Sequence, residues 1–427
     1  MSLVVLAIAF VVFLVIGMPI AFSLALSSLA AILFMDLSPL VVLQRMSSGF
    51  SVFALIAIPF FIYSGEIMLR GGAADRIVAF AQSLVGHKRG GLGQVNVLTS
   101  LLFGGISGSA IAGVSAVGGV LIPKMKEEGY SADYAVNVTV ASSVLGLVIP
   151  PSHNMILFAI AAGGSLSVGD LFLAGVVPGI LTAALLAIAA YWIAVKRGYP
   201  VKPFGGWGNV LRCFVAAMPG LMMILIIVGG IRLGIFTPTE ASAVAVIYGL
   251  AITAFVYREL DWRAFMAATR DAARTTASVL FLIGAASAFG WVLAASDAPT
   301  MVSDLMGGIT DNPIIMFLMI NIALLMLGAV MDMAPLIIIT TPIFLPIAMK
   351  FGMDPVQFGV MLIMNLGVGL ITPPVGTALF VGCSVGKVRI EQVVKSVWPF
   401  YFAHFGAIMA VTFVPAFSLW LPHLLKG

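Results

Sequence analysis

Charge is what this sequence has least of. Asp, Glu, Lys and Arg together make 9% of its 427 residues, where a soluble domain carries roughly 25%. With 61% hydrophobic residues and a mean hydropathy of +1.16, most of the chain is suited to lipid as its solvent. There are only two cysteines, Cys213 and Cys383, far apart and in apolar surroundings; this excludes a disulfide framework, and both read as small buried hydrophobes. His87, His404 and His423 are isolated and show no metal-ligand spacing. No phosphate loop, dinucleotide fingerprint or nucleotidase motif is present, so no enzyme and no bound cofactor is expected, and any work the chain does must draw on a gradient. The net charge of +4 comes from basic residues scattered through short connections without interleaved aromatics, which points to orientation in a membrane rather than to nucleic acid.

What is there is apolar sequence in lengths that approach or cross a hydrocarbon core, recurring from Leu3 to Leu421. The first such stretch reads as a mature membrane segment and not as a cleaved leader, so residues 1–427 are read as one mature chain. Charged residues and Pro/Gly breaks predict helices near 3–17, 19–35, 50–69, 133–162, 170–195, 213–233, 240–257, 276–295, 356–386 and 397–421. Residues 92–122 and 313–347 are apolar but interrupted, by Gly104-Gly105-Ile106-Ser107-Gly108-Ser109 and by Asp332-Met333-Ala334-Pro335. These suit helical hairpins that enter and leave on one side, since non-helical backbone at membrane depth survives only inside protein or beside water. Four amphipathic stretches, near 38–49, 73–86, 261–274 and 298–309, read as helices lying in the interface, which either merely connect crossings or act as arms joining a fixed scaffold to a moving block.

The chain also repeats itself. Gly146-Leu147-Val148-Ile149-Pro150-Pro151 matches Gly369-Leu370-Ile371-Thr372-Pro373-Pro374 at an offset of 223 (369 − 146), and at that offset Pro123 meets Pro346, Gly129 meets Gly352 and Gly163 meets Gly386. The expected architecture is an all-α polytopic membrane protein of two repeats, residues 1–200 and 201–427, each with a re-entrant hairpin and a Pro-Pro-broken helix. Five crossings and one hairpin per repeat force the second to start on the opposite side, so the repeats are inverted, which is a transporter's architecture. Of 21 Lys and Arg residues, only Arg45, Arg232, Lys350 and Lys426 fall on the poorer face of this topology. The richer face is therefore expected to be cytoplasmic, with both termini outside, the first hairpin opening from the cytoplasm and the second from the exterior.

A double proline removes backbone donors and frees carbonyl oxygens, so 133–162 and 356–386 each read as two half-helices with an unwound middle. Freed carbonyls and hairpin hydroxyls can replace a cation's hydration shell, while the half-helix that starts after the break offers N–H groups and a positive dipole end to a carboxylate. A first cation site would draw on Ser107, Ser109, Gly146, Ile149 and Pro151, and a second on Gly328, Asp332, Thr372 and Thr377. Between them Ser109, Ser152, Asn154 and Thr377 could hydrogen-bond a solute, although each could equally bond a neighbouring helix. Asp332 is the sole carboxylate in either hairpin, and a charge at membrane depth is functional by default: it could stabilise a cation, gate the site or carry a proton. Glu66 and Glu240, nearer helix ends, read as facing headgroups or water. A rival reading takes Gly105-Ile106-Ser107-Gly108 as the nucleophile motif of a rhomboid-like intramembrane protease with His153 as base, but such an enzyme needs neither inverted halves nor a second Pro-Pro break. A passive channel leaves the paired discontinuous helices unexplained.

Several segments together resemble the large membrane subunit of the tripartite ATP-independent periplasmic (TRAP) transporters. They are Phe103-Gly104-Gly105-Ile106-Ser107-Gly108-Ser109-Ala110, Pro123 to Met125, Ile149-Pro150-Pro151-Ser152, Met331-Asp332 before Thr341-Pro342-Ile343-Phe344-Leu345-Pro346, and Thr372-Pro373-Pro374-Val375-Gly376. The resemblance covers essentially the whole chain. It implies a bacterial or archaeal inner-membrane symporter that couples to Na+ rather than H+ and imports carboxylates such as C4-dicarboxylates and sialic acids. It implies two partners, a small four-helix membrane subunit (DctQ-like) and a soluble periplasmic substrate-binding protein (DctP-like), and an elevator motion of a block holding both hairpins. Residue by residue, Ser107, Ser109, Gly146 and the Pro150 region resemble the family's first sodium site and Gly328 with Thr372 its second, while Ser152 and Asp332 match positions implicated in transport. Divalent-anion sodium symporters, which place Ser-Asn-Thr at both hairpin tips, fit less well, as Ser107-Gly108-Ser109 and Met331-Asp332-Met333 stand here. A stand-alone anion symporter without a binding protein is the alternative. Because the apolar N-terminus begins at Leu3, the small subunit is expected to be a separate polypeptide.

Overall fold

The computed structural model describes residues 1–164 and 166–426, without the side chain of Lys426; among them there is helix and no strand. The first half opens with the apolar pair α1 (Ser2–Val15) and α2 (Ile20–Phe34), then α3 (Leu40–Phe50), a 3-10 turn into α4 (Ala57–Arg70), and α5 (Ala73–Val85). The first hairpin is α6 (Gly91–Ser107) and α7 (Ala110–Glu127), followed by α8 (Ala132–Ser143), α9 (Leu145–Val148), α10 (His153–Ala161) and α11 (Val168–Lys196). In the second half come α12 (Trp207–Arg232), α13 (Pro238–Ala251), α14 (Trp262–Ala295) and α15 (Ala298–Gly307), then the hairpin α16 (Pro313–Val330) and α17 (Met333–Lys350). The chain ends with α18 (Pro355–Gly369), α19 (Thr377–Gly386), the single turn α20 (Ile390–Val394), α21 (Trp398–Phe413) and α22 (Ala416–Lys426).

The internal repeat recurs at the level of element boundaries. Adding 223 to the limits of α7, 110 and 127, gives 333 and 350, the limits of α17, and adding it to the first residue of α8 gives 355, where α18 begins. The hairpins and broken helices are therefore built at equivalent places in two inverted-topology repeats. Among the described residues, seven helices, α16 and α17 included, are long and apolar enough to cross a bilayer, and two bent pairs, α8/α9 with α10 (51°) and α21 with α22 (58°), raise the number to nine if each is one span. α1, α2, α18 and α19 are apolar but shorter.

Two predicted elements differ. The stretch 261–274 is not a separate interfacial helix but the start of the 34-residue α14, because nothing between Arg274 and Ser278 breaks a helix, whereas Ser51-Val52 does separate α3 from α4 in the first half. The last crossing, 397–421, is two helices meeting at Val414-Pro415, where proline cannot continue the ladder. Cys383 is buried and Cys213 half-buried; both are free.

The buried apolar residues form one large core, to which α4, α5, α12 and α13 contribute, and two smaller ones. One hydrophobic core runs through the hairpins, the broken helices, α11 and α21, with Phe103, Tyr134, Phe158, Phe172, Phe358 and Phe400 all under 2% exposed. A smaller core joins α1, α2, α3 and α14 through Leu6, Leu24, Ile32, Val42 and Val292. Exposed Ile8, Trp192, Leu225, Ile247 and Phe402 cover the outside, the composition of a lipid-facing surface. Inside, polar residues cross-brace the apolar helices. Asn96 donates to the Thr139 hydroxyl at 2.6 Å and Ser100 pairs with Ser142 at 2.9 Å, fixing α6 to α8. Asn365 donates to Asn321 at 2.8 Å, fixing α18 to α16. Such bonds hold helices together where burial supplies no preference over lipid.

Candidate functional site

The two hairpin tips meet at one cavity of about 470 Å³. Ser107 and Ser109 line it from the first tip and Asp332, Met333 and Ala334 from the second; His153 and Asn154 contribute from the first turn of α10, and Glu66, Arg70, Asp271 and Thr275 from α4 and α14. The N-termini of α7, α10 and α17 thus open on the same space, and each presents backbone N–H groups and a positive dipole end to it.

Around the first tip the predicted residues converge. Gly108 turns the chain in the left-handed conformation (φ +60°), and the hydroxyl of Ser109 caps α7 by accepting from the N–H of Ala112 at 3.4 Å. Hairpin and broken helix touch backbone to backbone. A β-carbon placed on Gly146 falls 3.2 Å from the Cα of Gly104, and one placed on Gly108 falls 3.1 Å from the carbonyl oxygen of Pro151. Ile149 is extended (φ −76°, ψ 127°) where the helix unwinds. The Ser107 hydroxyl is buried and has no hydrogen-bond partner among the described residues. Ser107 and His153 consequently form no nucleophile–base pair, although both line the cavity.

The second tip repeats the plan with different chemistry. A β-carbon on Gly328 falls 3.2 Å from the Cα of Gly369, and the N–H of Val375 donates to the carbonyl of Ala329 at 3.1 Å, joining break to hairpin. The Asp332 carboxylate caps α17, accepting from the N–H of Met333 at 2.9 Å. Thr372 donates to the carbonyl of Val368 at 2.7 Å, while the Thr377 hydroxyl is buried without a partner among the described residues. Asp332 lines the cavity; Gly328, Thr372 and Thr377 do not. Both Pro150-Pro151 and Pro373-Pro374 are cis.

Ser152 is fully buried and donates to the carbonyl of Leu147 at 2.7 Å, bridging the first break from within; it does not line the cavity. Glu240 forms a capping box with Thr237 at the head of α13. Glu66, read from sequence as facing headgroups or water, instead lines the cavity beside Arg70, 3.7 Å away. The sequence reading also does not single out Arg70, Asp271 and Thr275. Their one signal is Glu66 and Arg70 four apart on an otherwise apolar helix, a pair that needs a common polar surface.

Comparison with known proteins gives a consistent answer. A family model described as "Tripartite ATP-independent periplasmic transporter, DctM component" matches residues 7–417. The chain is 38% identical to the sialic acid TRAP transporter large permease protein SiaM of Vibrio cholerae, over 96% of each protein. It is 37% identical to the 2,3-diketo-L-gulonate TRAP transporter large permease protein YiaN of Escherichia coli, over 94% of each. Among solved structures, the YdaH transporter of Alcanivorax borkumensis shares the fold at 14% identity, with a TM-score of 0.62 over 89% of this chain and 88% of that one. The chain belongs to the DctM family: it is a large, multi-pass membrane permease of the tripartite ATP-independent periplasmic transporters.

Proposed function

We propose that this permease imports organic carboxylates across the inner membrane by sodium-coupled symport, with residues 1–200 and 201–427 as its two repeats and both termini periplasmic. The observation that carries this reading is the convergence of three helix N-termini and both hairpin tips on one cavity. The positive dipole ends of three helices suit a carboxylate, and the solute classes in the names of similar permeases, sialic acid and 2,3-diketo-L-gulonate, are acids. Sodium is favoured over protons because the backbone oxygens gathered at Gly104–Gly146 and Gly328–Gly369, with the unpartnered hydroxyls of Ser107 and Thr377, are hard neutral ligands. Asp332 would then balance cation charge beside the solute. A small membrane subunit of the four-helix type and a soluble periplasmic binding protein complete the assembly that the family's description as tripartite denotes. Elevator motion is supported by the paired hairpins and broken helices of the two repeats and by the separate core that α1, α2 and α3 form with α14.

The test is uptake of labelled succinate, 2,3-diketo-L-gulonate and N-acetylneuraminate into proteoliposomes holding the permease and its small subunit, with the binding protein present or omitted, under sodium or proton gradients. Uptake that needs both sodium and the binding protein is expected. Uptake without the binding protein would instead make the chain a stand-alone symporter, and proton-driven uptake lost in Asp332→Asn would move the coupling to that carboxylate.

A further inference from the structure

Among the described Lys and Arg side chains, Arg70 alone lines the cavity, against three carboxylates, Glu66, Asp271 and Asp332. It lies at the last turn of α4, beyond Gly65, which packs on the first tip, and its Nη2 is ion-paired to Asp271 across to α14. The pair is open to water, with side chains 35% and 39% exposed. It is not what holds α4 to α14: Tyr63 and Thr269 hydrogen-bond at 2.9 Å about two turns of α4 earlier, and Ile67 with Ala268 forms a buried apolar contact cluster between them. Exposed ion pairs contribute little to stability. The Glu66 carboxylate, 3.7 Å from Nε, is beyond hydrogen-bond distance, and Nη1 has no partner among the described residues, so much of the guanidinium fork is free.

Resting on the carboxylate reading above, we propose that Arg70 is the docking group for the solute carboxylate at the mouth of the cavity, where it exchanges the Asp271 carboxylate for that of the solute. A solute leaving the hairpin tips on this path otherwise crosses a rim holding only negative fixed charge, from Glu66 and Asp271. Guanidinium is the group that takes two carboxylates at once, through its two edges, so the solute can be received before Asp271 is released. Asp271 then acts as a competitor that keeps the docking weak enough for the solute to leave.

The test separates docking from a structural latch by the sign of two effects. Permease reconstituted with its small subunit is assayed for exchange of succinate and of N-acetylneuraminate offered on the side bearing Arg70. Arg70→Gln is expected to raise KM there about tenfold, the size of one lost charge-assisted bond, with Arg70→Lys intermediate, while Asp271→Asn lowers KM about threefold. A latch predicts that Arg70→Gln and Asp271→Asn shift KM in the same direction and that the double variant is no worse than either; that outcome would overturn the proposal. A second readout needs no transported solute. In Cys213→Ser/Cys383→Ser protein carrying Thr275→Cys on the cavity wall, the rate of modification by an anionic relative to a cationic methanethiosulfonate is expected to fall about fivefold with Arg70→Gln. An unchanged ratio would sink the docking role. If the wild type exchanges neither probe but the ratio falls, the carboxylate classes are wrong and the cationic rim stands.

Discussion

The two hairpins hold the same helices at the same offset and differ in how their tips and breaks are closed. In the first, a left-handed Gly108 and a neutral cap, Ser109, make a tip that packs beneath α4, where a β-carbon on Gly65 falls 3.3 Å from the carbonyl oxygen of Ile106. In the second, the residue equivalent to Ser109 is Asp332 (109 + 223), and the cap becomes a carboxylate. The first break is buried from Leu145 to Ser152 and is bridged by the Ser152 hydroxyl; the second exposes Pro374, and the residue equivalent to Ser152 is Val375, which reaches the hairpin through its backbone N–H. Even the bracing to the last long helix is conserved in place and not in chemistry. Tyr134 donates to Ala190, and its equivalent Gln357 donates to Val411 and Thr412. What the repeat preserves is backbone approach, and what it varies is charge.

The largest effect is therefore expected where the halves agree. Gly146→Leu and Gly369→Leu each drive a side chain into the backbone of Gly104 or Gly328, an overpacking of about 3 kcal/mol at sites that cannot relax without parting hairpin from broken helix. Both should reduce sodium-driven uptake below about a hundredth of wild type and lower the melting temperature of the purified protein. If either variant transports normally, the close approach is only structural filler.

Where the halves differ, the effects should be unequal. Asp332→Asn removes a fixed charge from the cavity wall and should cut uptake about 50-fold, while Ser109→Ala removes a cap of about 1 kcal/mol and should cost no more than about threefold. Equal losses in the two variants would mean that Asp332 serves only as a helix cap.

This comparison also marks what the sequence could convey. The repeat, both hairpins and both breaks are legible because Gly and Pro at fixed spacing constrain backbone, and a constraint on backbone does not depend on neighbours. α14 was less so: its amphipathic start and apolar finish read as two helices, and only the missing breaker between them argues for one. The cavity's charged rim is hardly legible at all. Arg70 and Asp271 are 201 residues apart, and nothing local to α14 says that Asp271 faces α4 rather than water. Ser152 shows what a motif does not convey: in this structure its hydroxyl is bonded to the chain's own Leu147 carbonyl.

A smaller expected effect falls on the cation sites. Deleting a hydroxyl that has no partner leaves nothing unpaired, so Ser107→Ala and Thr377→Val should be neutral or slightly stabilising in thermal unfolding if those groups are structural. As ion ligands they should instead each raise the sodium concentration for half-maximal uptake about fivefold, near 1 kcal/mol per lost ligand, with the maximal rate little changed. An unaltered sodium dependence in both would remove these hydroxyls from the coupling mechanism and leave the carbonyl oxygens alone to bind the ion.

The smallest effect tests whether the first break is braced from within. Ser152→Ala leaves the Leu147 carbonyl buried and unpaired, at a cost of about 1–2 kcal/mol. Melting should shift down by a few degrees, with solute KM and sodium dependence unchanged, because the side chain does not line the cavity. The equivalent change in the other half, Val375→Ala, keeps the backbone bond to Ala329 and should do still less. If Ser152→Ala raises solute KM while melting stays put, the hydroxyl must leave Leu147 during the transport cycle and reach the solute. The first break would then open during transport, and the contrast between a buried first break and an exposed second one would hold only for this conformation.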